Sequence, residues 1–413
     1  MSTNRTYIVG VGITHFAKQL EISVKDLVCE AVNAALKDAG CDAGMLQGAY
    51  FATAGQGPIE GQYMVAGQVA LAAAGITGIP VVNVENACAS SSTALNAAQM
   101  FVSSGAGDIC LAVGVDKLFS TDKEKSFAVF DGAWDVHQAS QQMQALMNLA
   151  ADVKPPADYV EPGKRSVFMD IYASLARLHM KTFGTTQRQI AAVAAKNHVH
   201  STRNPLAQFQ YPMTIDEVLA ARAVSWPLTL PMCAPISDGA AAAIICNEAG
   251  LKKLQKSRAV RLCASVLRSA TDRPADQYER HLCHLAALQA YEMAGVGPAD
   301  MSLAEVHDAT AFAEIQQTEA LGFCAFGEGG PMAESGATTL GGKIPINVSG
   351  GLLSRGHPIG ATGLAQVYEM VTQLRGEAGS RQVENARFAI AENGGGFRGV
   401  EEASTSIIIL GKQ

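Results

Sequence analysis

The chain carries one pattern twice, and this internal repeat constrains its fold more than any other feature of the sequence. In each copy an Asn-Val pair precedes a side chain that could be catalytic, then a threonine and a helical stretch. Cys88 and Thr93 belong to the first copy, His357 and Thr362 to the second, and equivalent residues lie 269 positions apart. If the copies form a pseudo-twofold pair, Cys88 and His357 occupy equivalent strand-to-helix turns and face each other. The alternative is chance similarity in a chain rich in Ala and Gly.

Outside a central segment, short β-like runs alternate with amphipathic helical stretches, which predicts an α/β fold. Tyr7–Val11 and Ile109–Val113 are predicted strands, and Val24–Ala39 is a predicted helix that ends at Gly40. The chain has 413 residues, of which 40 are glycines. Aromatic residues make up only 6% of the chain. Small residues let helices and strands approach closely, so layered α/β packing is favoured over a β-sandwich.

The central segment has a different composition. From about residue 118 to 228 it is richer in polar residues, Met, Gln and His, and it lacks strand alternation. We therefore predict three parts. They are an N-terminal half made of residues 1–118 and 238–265, an inserted loop domain of residues 119–237 that covers the active site, and a C-terminal half of residues 266–413.

Charge, hydrophobicity and cysteine usage exclude several classes of protein. The net charge is −7 and no block of Lys or Arg occurs, so neither a nucleic acid nor an anionic membrane is an expected partner. The longest apolar runs, such as Ala240–Cys246, are too short to span a membrane. Nine cysteines at irregular spacing and the lack of a secretory signal pattern predict reduced thiols in a cytoplasmic protein.

Two clusters of possible metal ligands lack the spacing of a metal site. His281, Cys283 and His284 have no matching second pair of ligands, and neither do His198 and His200. We therefore predict no metal in this chain.

Cys88 is the first candidate catalytic residue. It lies in Asn86–Ser92, which follows a β-like run and opens a helix. The positive end of a helix favours thiolate over thiol, and a thiolate is both a good nucleophile and a good acyl leaving group. A small buried cysteine without a chemical role is the alternative.

His357 is the second candidate. It lies in Gly350–Gly363, a glycine-dense turn that leads into a helix, where an imidazole could take the proton of the thiol and return it later. Such a turn could instead cradle a phosphate, or the histidine could satisfy backbone groups of the loop. The turn lacks the Gly-Lys-Ser/Thr of nucleotide triphosphate sites.

Two further segments could stabilise an oxyanion. His307 follows a predicted strand, where its ring could donate a hydrogen bond and Asp308 could orient it, although a capping histidine is the alternative. The run Glu392–Gly396 ends the last predicted strand, and its backbone N–H groups could form an anion nest. A plain tight turn is the other interpretation.

Together these motifs resemble the thiolase superfamily. Gly356–Gly363 closely matches the thiolase histidine signature, Asn86–Ser92 resembles the nucleophile loop, and Glu305–Asp308 is nearer the sterol-carrier-protein type, which is acetyl-CoA acetyltransferase-like, than the biosynthetic type. The resemblance covers nearly the whole chain. It implies a thiolase fold: two pseudo-twofold-related βαβαβ halves in five αβαβα layers, with an inserted loop domain that carries much of the coenzyme A site.

The resemblance also implies roles for these residues. Cys88 would take the acyl group, and His357 would activate the Cys88 thiol. His307 and His357 would line one oxyanion hole. The backbone N–H groups of Cys88 and Gly394 would form another. Coenzyme A would be substrate or product, and the chain would form at least a homodimer.

One departure from the family's pattern is notable. Thiolases carry a second cysteine that moves a proton at the α-carbon or the incoming thiol, and the two known places for it hold Glu392 and Ala309 in this chain. Glu392 is a tentative replacement, because a partly buried carboxyl can have a useful pKa. It could equally be inert.

This departure leaves three hypotheses open. The first is a thiolase for bulky, branched or aromatic 3-oxoacyl-CoA, acting in thiolysis or in the reverse Claisen condensation. The second is an acyltransferase or retro-aldolase that works with a small zinc-binding subunit of the OB-fold type. The third is a non-catalytic thiolase-fold protein that binds lipid or CoA, which the presence of Cys88, His307 and His357 argues against.

Overall fold

The computed structural model describes residues 5–157, 159–160, 162–163, 166–254 and 258–413. The strands run β1 Thr6–Ile13, β2 Ala49–Ala52, β3 Val81–Val84, β4 Ile109–Lys117, β5 Ala223–Ser225, β6 Leu228–Thr229, β7 Asp238–Asn247, β8 Val260–Ser269, β9 Leu303–Glu305, β10 Phe388–Gly395 and β11 Ser404–Gly411. The helices run α1 Val24–Ala39, α2 Gln56–Glu60, α3 Ala66–Ala73, α4 Ser90–Ser103, α5 Lys123–Asp131, α6 Ala139–Asn148, α7 Val167–Phe183, α8 Gln187–Ser201, α9 Ile215–Ala220, α10 Glu248–Lys253, α11 Leu282–Ala294, α12 Ala311–Ala320, α13 Gly329–Glu334, α14 Gly351–Arg355 and α15 Thr362–Arg375.

Strand order makes the two halves visible. Within the described ranges, nine strands form one mixed sheet in the order β3-β2-β4-β7-β1-β8-β11-β10-β9. The antiparallel pair β1–β8 lies at its centre, and on each side an antiparallel partner is followed by parallel strands. This mirrored order is the predicted pseudo-twofold arrangement of two βαβαβ halves, and the fold class is therefore confirmed.

Helices α4 and α15 form the middle of five layers. Apolar side chains of α4, such as Leu95, and of α15, such as Leu364 and Val367, are buried in one core together with residues from both halves of the sheet. Helix α1 covers the outer face of the first half, and α11 covers that of the second. The two helices that follow the Cys88 and His357 turns are thus packed against each other.

The predicted helix Val24–Ala39 is confirmed as α1. Ser23 caps its start by accepting a hydrogen bond from the N–H of Asp26, and Gly40 ends it with a left-handed backbone. These are the local signals from which the sequence predicted the helix. No helix in the described ranges is long and apolar enough to cross a membrane.

The segment between β4 and β7 contributes, in its described residues, no strand to the large sheet. Its described residues form α5 to α9 and the small β5–β6 hairpin, and it contributes most of a hydrophobic core of its own. The predicted boundary between residues 265 and 266 falls inside β8, which pairs with β1 on one side and β11 on the other. The division into domains stays a prediction.

Candidate active site

The nucleophile turn is a strained and tightly bonded loop. Cys88 lies in the 3₁₀ turn Ala87–Ala89 directly before α4, and Ala87 has a positive φ of 48°. Ser90 stabilises this backbone, since its hydroxyl donates to the Ala87 carbonyl (2.6 Å) and accepts from the Asn86 N–H (2.9 Å). A positive φ costs free energy at a residue other than glycine, and the two hydrogen bonds of Ser90 help to hold Ala87 in this conformation. They thereby fix the position of the adjacent Cys88 thiol.

The His357 turn fixes the tautomer of the imidazole. The Thr362 hydroxyl donates its single proton to the Pro358 carbonyl (2.9 Å) and lies 2.7 Å from His357 Nδ1. Because that hydroxyl has no second proton to give, Nδ1 must carry the hydrogen and donate to it. Nε2 is therefore the basic nitrogen, free to accept a proton.

His307 lies two residues after the end of β9. Its backbone N–H donates to Glu392 Oε2 (3.0 Å), and its ring packs edge-on against the His357 ring with centroids 5.3 Å apart. Neither of its ring nitrogens has a hydrogen-bond partner among the residues described. A buried imidazole without partners costs free energy, which a ligand that accepts or donates there would offset.

Asp308 does not orient the His307 ring, contrary to the sequence-based suggestion. Its carboxyl accepts instead from the backbone N–H of Leu352 (2.7 Å) and the side chain of Asn197 (2.8 Å). It therefore ties the His307 segment to the loop before His357. Adjacent side chains leave the backbone in different directions, which explains the result.

The three predicted side chains converge. One donor atom each of Cys88, His307 and His357 lies within 4.8 Å of the other two, and we call these residues the catalytic cluster. One sulfur and two imidazoles are also a donor set that Zn²⁺ accepts. The three residues come from three distant loops, so they form no local metal-binding motif in the sequence.

Burial makes every member of the catalytic cluster neutral. Burial raises the pKa of the Cys88 thiol to about 12, and the charges of Asp116 and Glu85 act in the same direction. Burial also lowers the pKa of His307 to about 4 and that of His357 well below its ordinary value. Burial of the turn thus favours the neutral thiol in the resting protein, whereas the helix start favours the thiolate, so the expected thiolate stays a prediction.

Glu392 lies behind the catalytic cluster. It is fully buried, and its carboxyl accepts from the His307 N–H on one oxygen and from the Thr405 hydroxyl (3.2 Å) on the other. It is not among the described residues that line the cavity at Cys88. Burial is the main cause that raises the pKa of Glu392 to about 8, and the charge of Glu402 raises it further.

The glycine run packs directly against the nucleophile turn. A Cβ on Gly395 would lie 2.1 Å from the Asn86 carbonyl oxygen, so no other residue fits there. Gly394, the predicted oxyanion donor, pairs with Thr405 in the β10–β11 ladder. The N–H that reaches the Cys88 sulfur is that of Gly396, which also borders the cavity.

A cavity of about 860 Å³ opens onto the catalytic cluster. Aromatic side chains from the segment between β4 and β7 form much of its wall: Phe119, Phe127, Phe130, Phe168, Tyr172, Phe209 and Tyr211. Lys18, Lys123 and Arg222 add positive charge to the same wall. Sequence reasoning missed Tyr172, which belongs to no motif, and within the run Glu392–Gly396 it named Gly394 and not Gly396 as the donor.

Two family models match the chain. The description "Thiolase, N-terminal domain" matches residues 6–221, and "Thiolase C-terminal domain-like" matches residues 269–412.

Three curated relatives and one solved structure are similar along nearly the whole chain. An acetyl-CoA acetyltransferase of Methanothermobacter thermautotrophicus is 38% identical over 397 residues, covering 95% of this chain and 96% of its own. Sterol carrier protein 2 of Gallus gallus is 38% identical (94% and 69% covered), and the benzoylsuccinyl-CoA thiolase subunit BbsB of Thauera aromatica is 35% identical (95% and 96%). The structure titled "Ltp2-ChsH2(DUF35) aldolase" has a TM-score of 0.78 at 22% identity, covers 99% of this chain and 98% of its own, and shows the fold alone.

Proposed function

This chain belongs to the thiolase family and is a CoA-dependent acyltransferase, and from this premise we propose that it cleaves bulky, branched or aromatic 3-oxoacyl-CoA by thiolysis, or forms it by Claisen condensation. The observation that carries the proposal is the catalytic cluster at the end of a large, aromatic-lined cavity.

His357 Nε2 takes the proton of the Cys88 thiol as the sulfur attacks the 3-oxo carbon of the substrate. Both groups are neutral at rest, so the proton moves only when the attack stabilises the charge that forms. The acyl group is then held on Cys88 as a thioester, while the carbon–carbon bond next to it breaks.

Two sites meet the negative oxygens that develop. Nε2 of His357 and the unpartnered ring of His307 border one of them. The N–H groups of Cys88 and of the glycine run form the other; we predicted Gly394 for this part, and Gly396 has a placement that suits it as well. Glu392 supports the first site through the backbone of His307.

The nature of the cavity wall supports a large acyl group. Aromatic and methionine side chains offer an apolar surface for rings or branched chains. The relative from Thauera aromatica is a thiolase subunit named for an aromatic CoA thioester. Lys18, Lys123 and Arg222 supply the local positive charge that the phosphates of CoA need on a chain of net charge −7.

The assembly and location are part of the proposal. β3 is an edge strand with exposed Val82, an edge that suits pairing in a homodimer. We propose a small zinc-binding OB-fold-type subunit as a further partner, since one relative is named as a subunit and the similar structure is named with a second component. All nine cysteines lie among the residues described and none forms a disulfide, which supports a reducing, cytoplasmic setting.

A screen of CoA thioesters tests this proposal. Straight, branched and aromatic 3-oxoacyl-CoAs are offered with CoA, with and without any co-purifying small protein, and shortened acyl-CoA is measured. We expect the bulky or aromatic substrates to give the highest kcat/KM. A lack of thiolysis with every substrate in both preparations would contradict the proposal.

The retro-aldolase alternative rests on the missing second cysteine, since the two positions where thiolases carry it hold Glu392 and Ala309 in this chain. A retro-aldol cleavage needs no acyl-cysteine, so trapping the acyl group on Cys88 distinguishes the two reactions.

A further inference from the structure

Thiolysis needs a second proton-transfer group besides His357. When the carbon–carbon bond breaks, the departing α-carbon must gain a proton, and the incoming CoA thiol must later lose one. His357 already holds the proton of Cys88 at that stage. The second group must therefore lie on the cavity wall, beside the thiol and able to exchange a proton.

Apart from the catalytic cluster and Tyr172, the described titratable groups of the wall are either bonded to backbone carbonyls or lie at its open side. The Cys233 thiol donates to the Thr229 carbonyl (3.5 Å), and His198 Nδ1 lies 3.3 Å from the Tyr211 carbonyl. Lys18, Glu85, Lys123 and Arg222 are exposed, and Tyr211 is 50% exposed. Groups in contact with bulk water are poorly suited to protonate a carbanion in a protected site.

Tyr172 lines the same cavity as the catalytic cluster. Its side chain is buried on α7 and borders the cavity together with Cys88 and Ala309. Its ring packs edge-on against Phe397, with centroids 5.7 Å apart, next to the Gly396 whose N–H reaches the thiol. Its hydroxyl makes no hydrogen bond to any part of the chain that the structure describes, and the residue borders the open cavity, where a ligand can reach it.

Burial keeps the proton of Tyr172 in place at rest. It raises the pKa of the phenol well above its ordinary value, and a negative charge on Glu402, Cys88 or Glu392, when one of these groups ionises, raises it further. The phenol is therefore an acid in the resting protein. Glu392, in contrast, has both oxygens engaged and does not reach the wall.

We propose that Tyr172 is the second acid and base of the reaction, in the place of the missing cysteine; this rests on the proposed thiolase function. As the bond between C2 and C3 of the 3-oxoacyl group breaks, its electron pair stays on C2, and the Tyr172 hydroxyl gives C2 a proton. The phenolate then removes the proton of CoA–SH. The CoA thiolate attacks the acyl-Cys88 carbonyl, and Cys88 leaves and regains its proton from His357.

Hydrogen exchange at the α-carbon tests this step with acetyl-CoA as the probe. In D₂O the wild-type protein should exchange the methyl hydrogens of acetyl-CoA, and Tyr172→Phe should slow this exchange by about 100-fold or more. Acetylation of Cys88 should slow by less than about 10-fold, because a CoA thiolate leaves without strong acid help. Intact-protein mass spectrometry measures the acetylation, and NMR measures the exchange.

Controls separate chemistry from structure. Tyr291→Phe removes a phenol that donates to the Leu321 carbonyl (2.9 Å) away from the cavity, and both rates should be unchanged. 3-Fluorotyrosine at position 172, a more acidic phenol, should shift the pH profile of exchange to lower pH. An equal loss of exchange and acetylation in Tyr172→Phe, or loss of exchange in Glu392→Gln alone, would overturn the proposal. Wild-type protein that is never acetylated on Cys88 would instead overturn the thiolase function itself.

Discussion

The Cys88 turn and the His357 turn share one hydrogen-bond design. Thr93 donates its hydroxyl proton to the carbonyl four residues earlier, that of Ala89, at 2.8 Å. Thr362 does the same to Pro358 at 2.9 Å. The predicted repeat therefore extends to the level of single hydrogen bonds.

The two threonines differ in what donates to them. Thr93 accepts from the side-chain amide of Asn86 (3.0 Å), which holds the nucleophile loop. Thr362 accepts from His357 itself, which fixes the basic nitrogen of the imidazole. One duplicated scaffold thus supplies the positions, and a few substituted side chains supply the chemistry.

Burial shifts the pKa values of Cys88 and His357 in opposite directions, and both shifts favour the neutral form. It raises the pKa of Cys88 to about 12 and lowers the pKa of His357 well below its ordinary value. Both groups are neutral for that reason, and neither half of the protein is reactive without the other. The comparison predicts that substitutions in the Cys88 turn and in the His357 turn impair the reaction by different mechanisms.

Removal of the nucleophile should have the largest effect. We expect Cys88→Ala to lower turnover by at least about 10⁴-fold with the fold intact, because no other sulfur lies in the catalytic cluster. Mass spectrometry after addition of acyl-CoA should find no acyl-enzyme in this variant. Cys29→Ala, a cysteine of α1 that does not border the cavity, is the matched control and should keep full activity. An acyl label on a different cysteine would contradict the assignment.

The tautomer should have the next largest effect. Thr362→Val removes the acceptor of His357 Nδ1–H, so the ring can place its proton on Nε2 and lose its basic nitrogen. We expect kcat to fall by about 10- to 100-fold. The equivalent change, Thr93→Val, should lower stability by about 1 kcal/mol through the loss of the Asn86 bond, with a smaller loss of kcat.

Steady-state kinetics and thermal unfolding of both threonine variants measure this difference. Equal losses of kcat in the two variants would mean that the threonines are only structural, and the distinction between the turns would then fail.

Local patterns were enough for the scaffold and for the catalytic cluster. The repeat aligned Cys88 with His357, and the glycine signature identified the second turn. Helix α1 followed from Ser23 and Gly40, whose effects act over one turn of chain. These features depend on neighbours in sequence, which is why they could be predicted.

The remaining features depend on tertiary packing. The pKa of Cys88 is set by how deeply the turn is buried, which no local pattern measures. The placement of Tyr172 depends on how α7, between β4 and β7, packs over residues of the second half. The placement of Glu392 depends on which side of β10 faces the cavity. Sequence reasoning named Glu392 from its position in a motif, without its neighbours.

Two buried carboxyls extend the comparison between the halves. Asp116, at the end of β4, accepts from the Gly360 N–H (2.6 Å) in the His357 turn, and Glu392, on β10, accepts from the His307 N–H. Each therefore supports a loop that carries a catalytic imidazole.

Glu392→Gln should have a small effect that is equal in both half-reactions. The amide oxygen can still accept from the His307 N–H, and the amide nitrogen can donate to Thr405. We expect less than about a 10-fold loss of kcat. Rates of acylation and of α-carbon exchange measure this, and a selective loss of exchange would restore Glu392 as the acid and base.

The smallest expected effect is on the pH dependence of stability, and it separates the two halves most finely. Burial raises the pKa of Asp116 to about 6, an effect that bonds from Thr53, Gly55 and Gly360 oppose. Burial raises the pKa of Glu392 to about 8 and that of Glu402 to about 7; the charge of Glu402 also raises the pKa of Glu392, and the charge of Glu401 raises that of Glu402. One oxygen of Glu402 has no hydrogen-bond partner among the residues described and lies 3.9 Å from His281 Nε2.

A raised folded-state pKa means that the folded protein binds more protons than the unfolded chain between the ordinary carboxyl pKa and the raised one. Stability from these groups is thus complete below about pH 4.5 and is lost as pH rises through about 8, by about 1.4 kcal/mol per pH unit for each proton of difference. Glu402→Gln keeps the acceptor for Gln317 and removes the ionisation, so its melting temperature should fall less between pH 6 and 8 than that of the wild type. The exposed Glu384→Gln is the control and should follow the wild type. If the melting temperature of Glu402→Gln fell between pH 6 and 8 as steeply as that of the wild type, ionisation of Glu402 would not contribute to the pH dependence of stability. The contrast between Glu392 with Glu402 in the second half and Asp116 in the first would then fail.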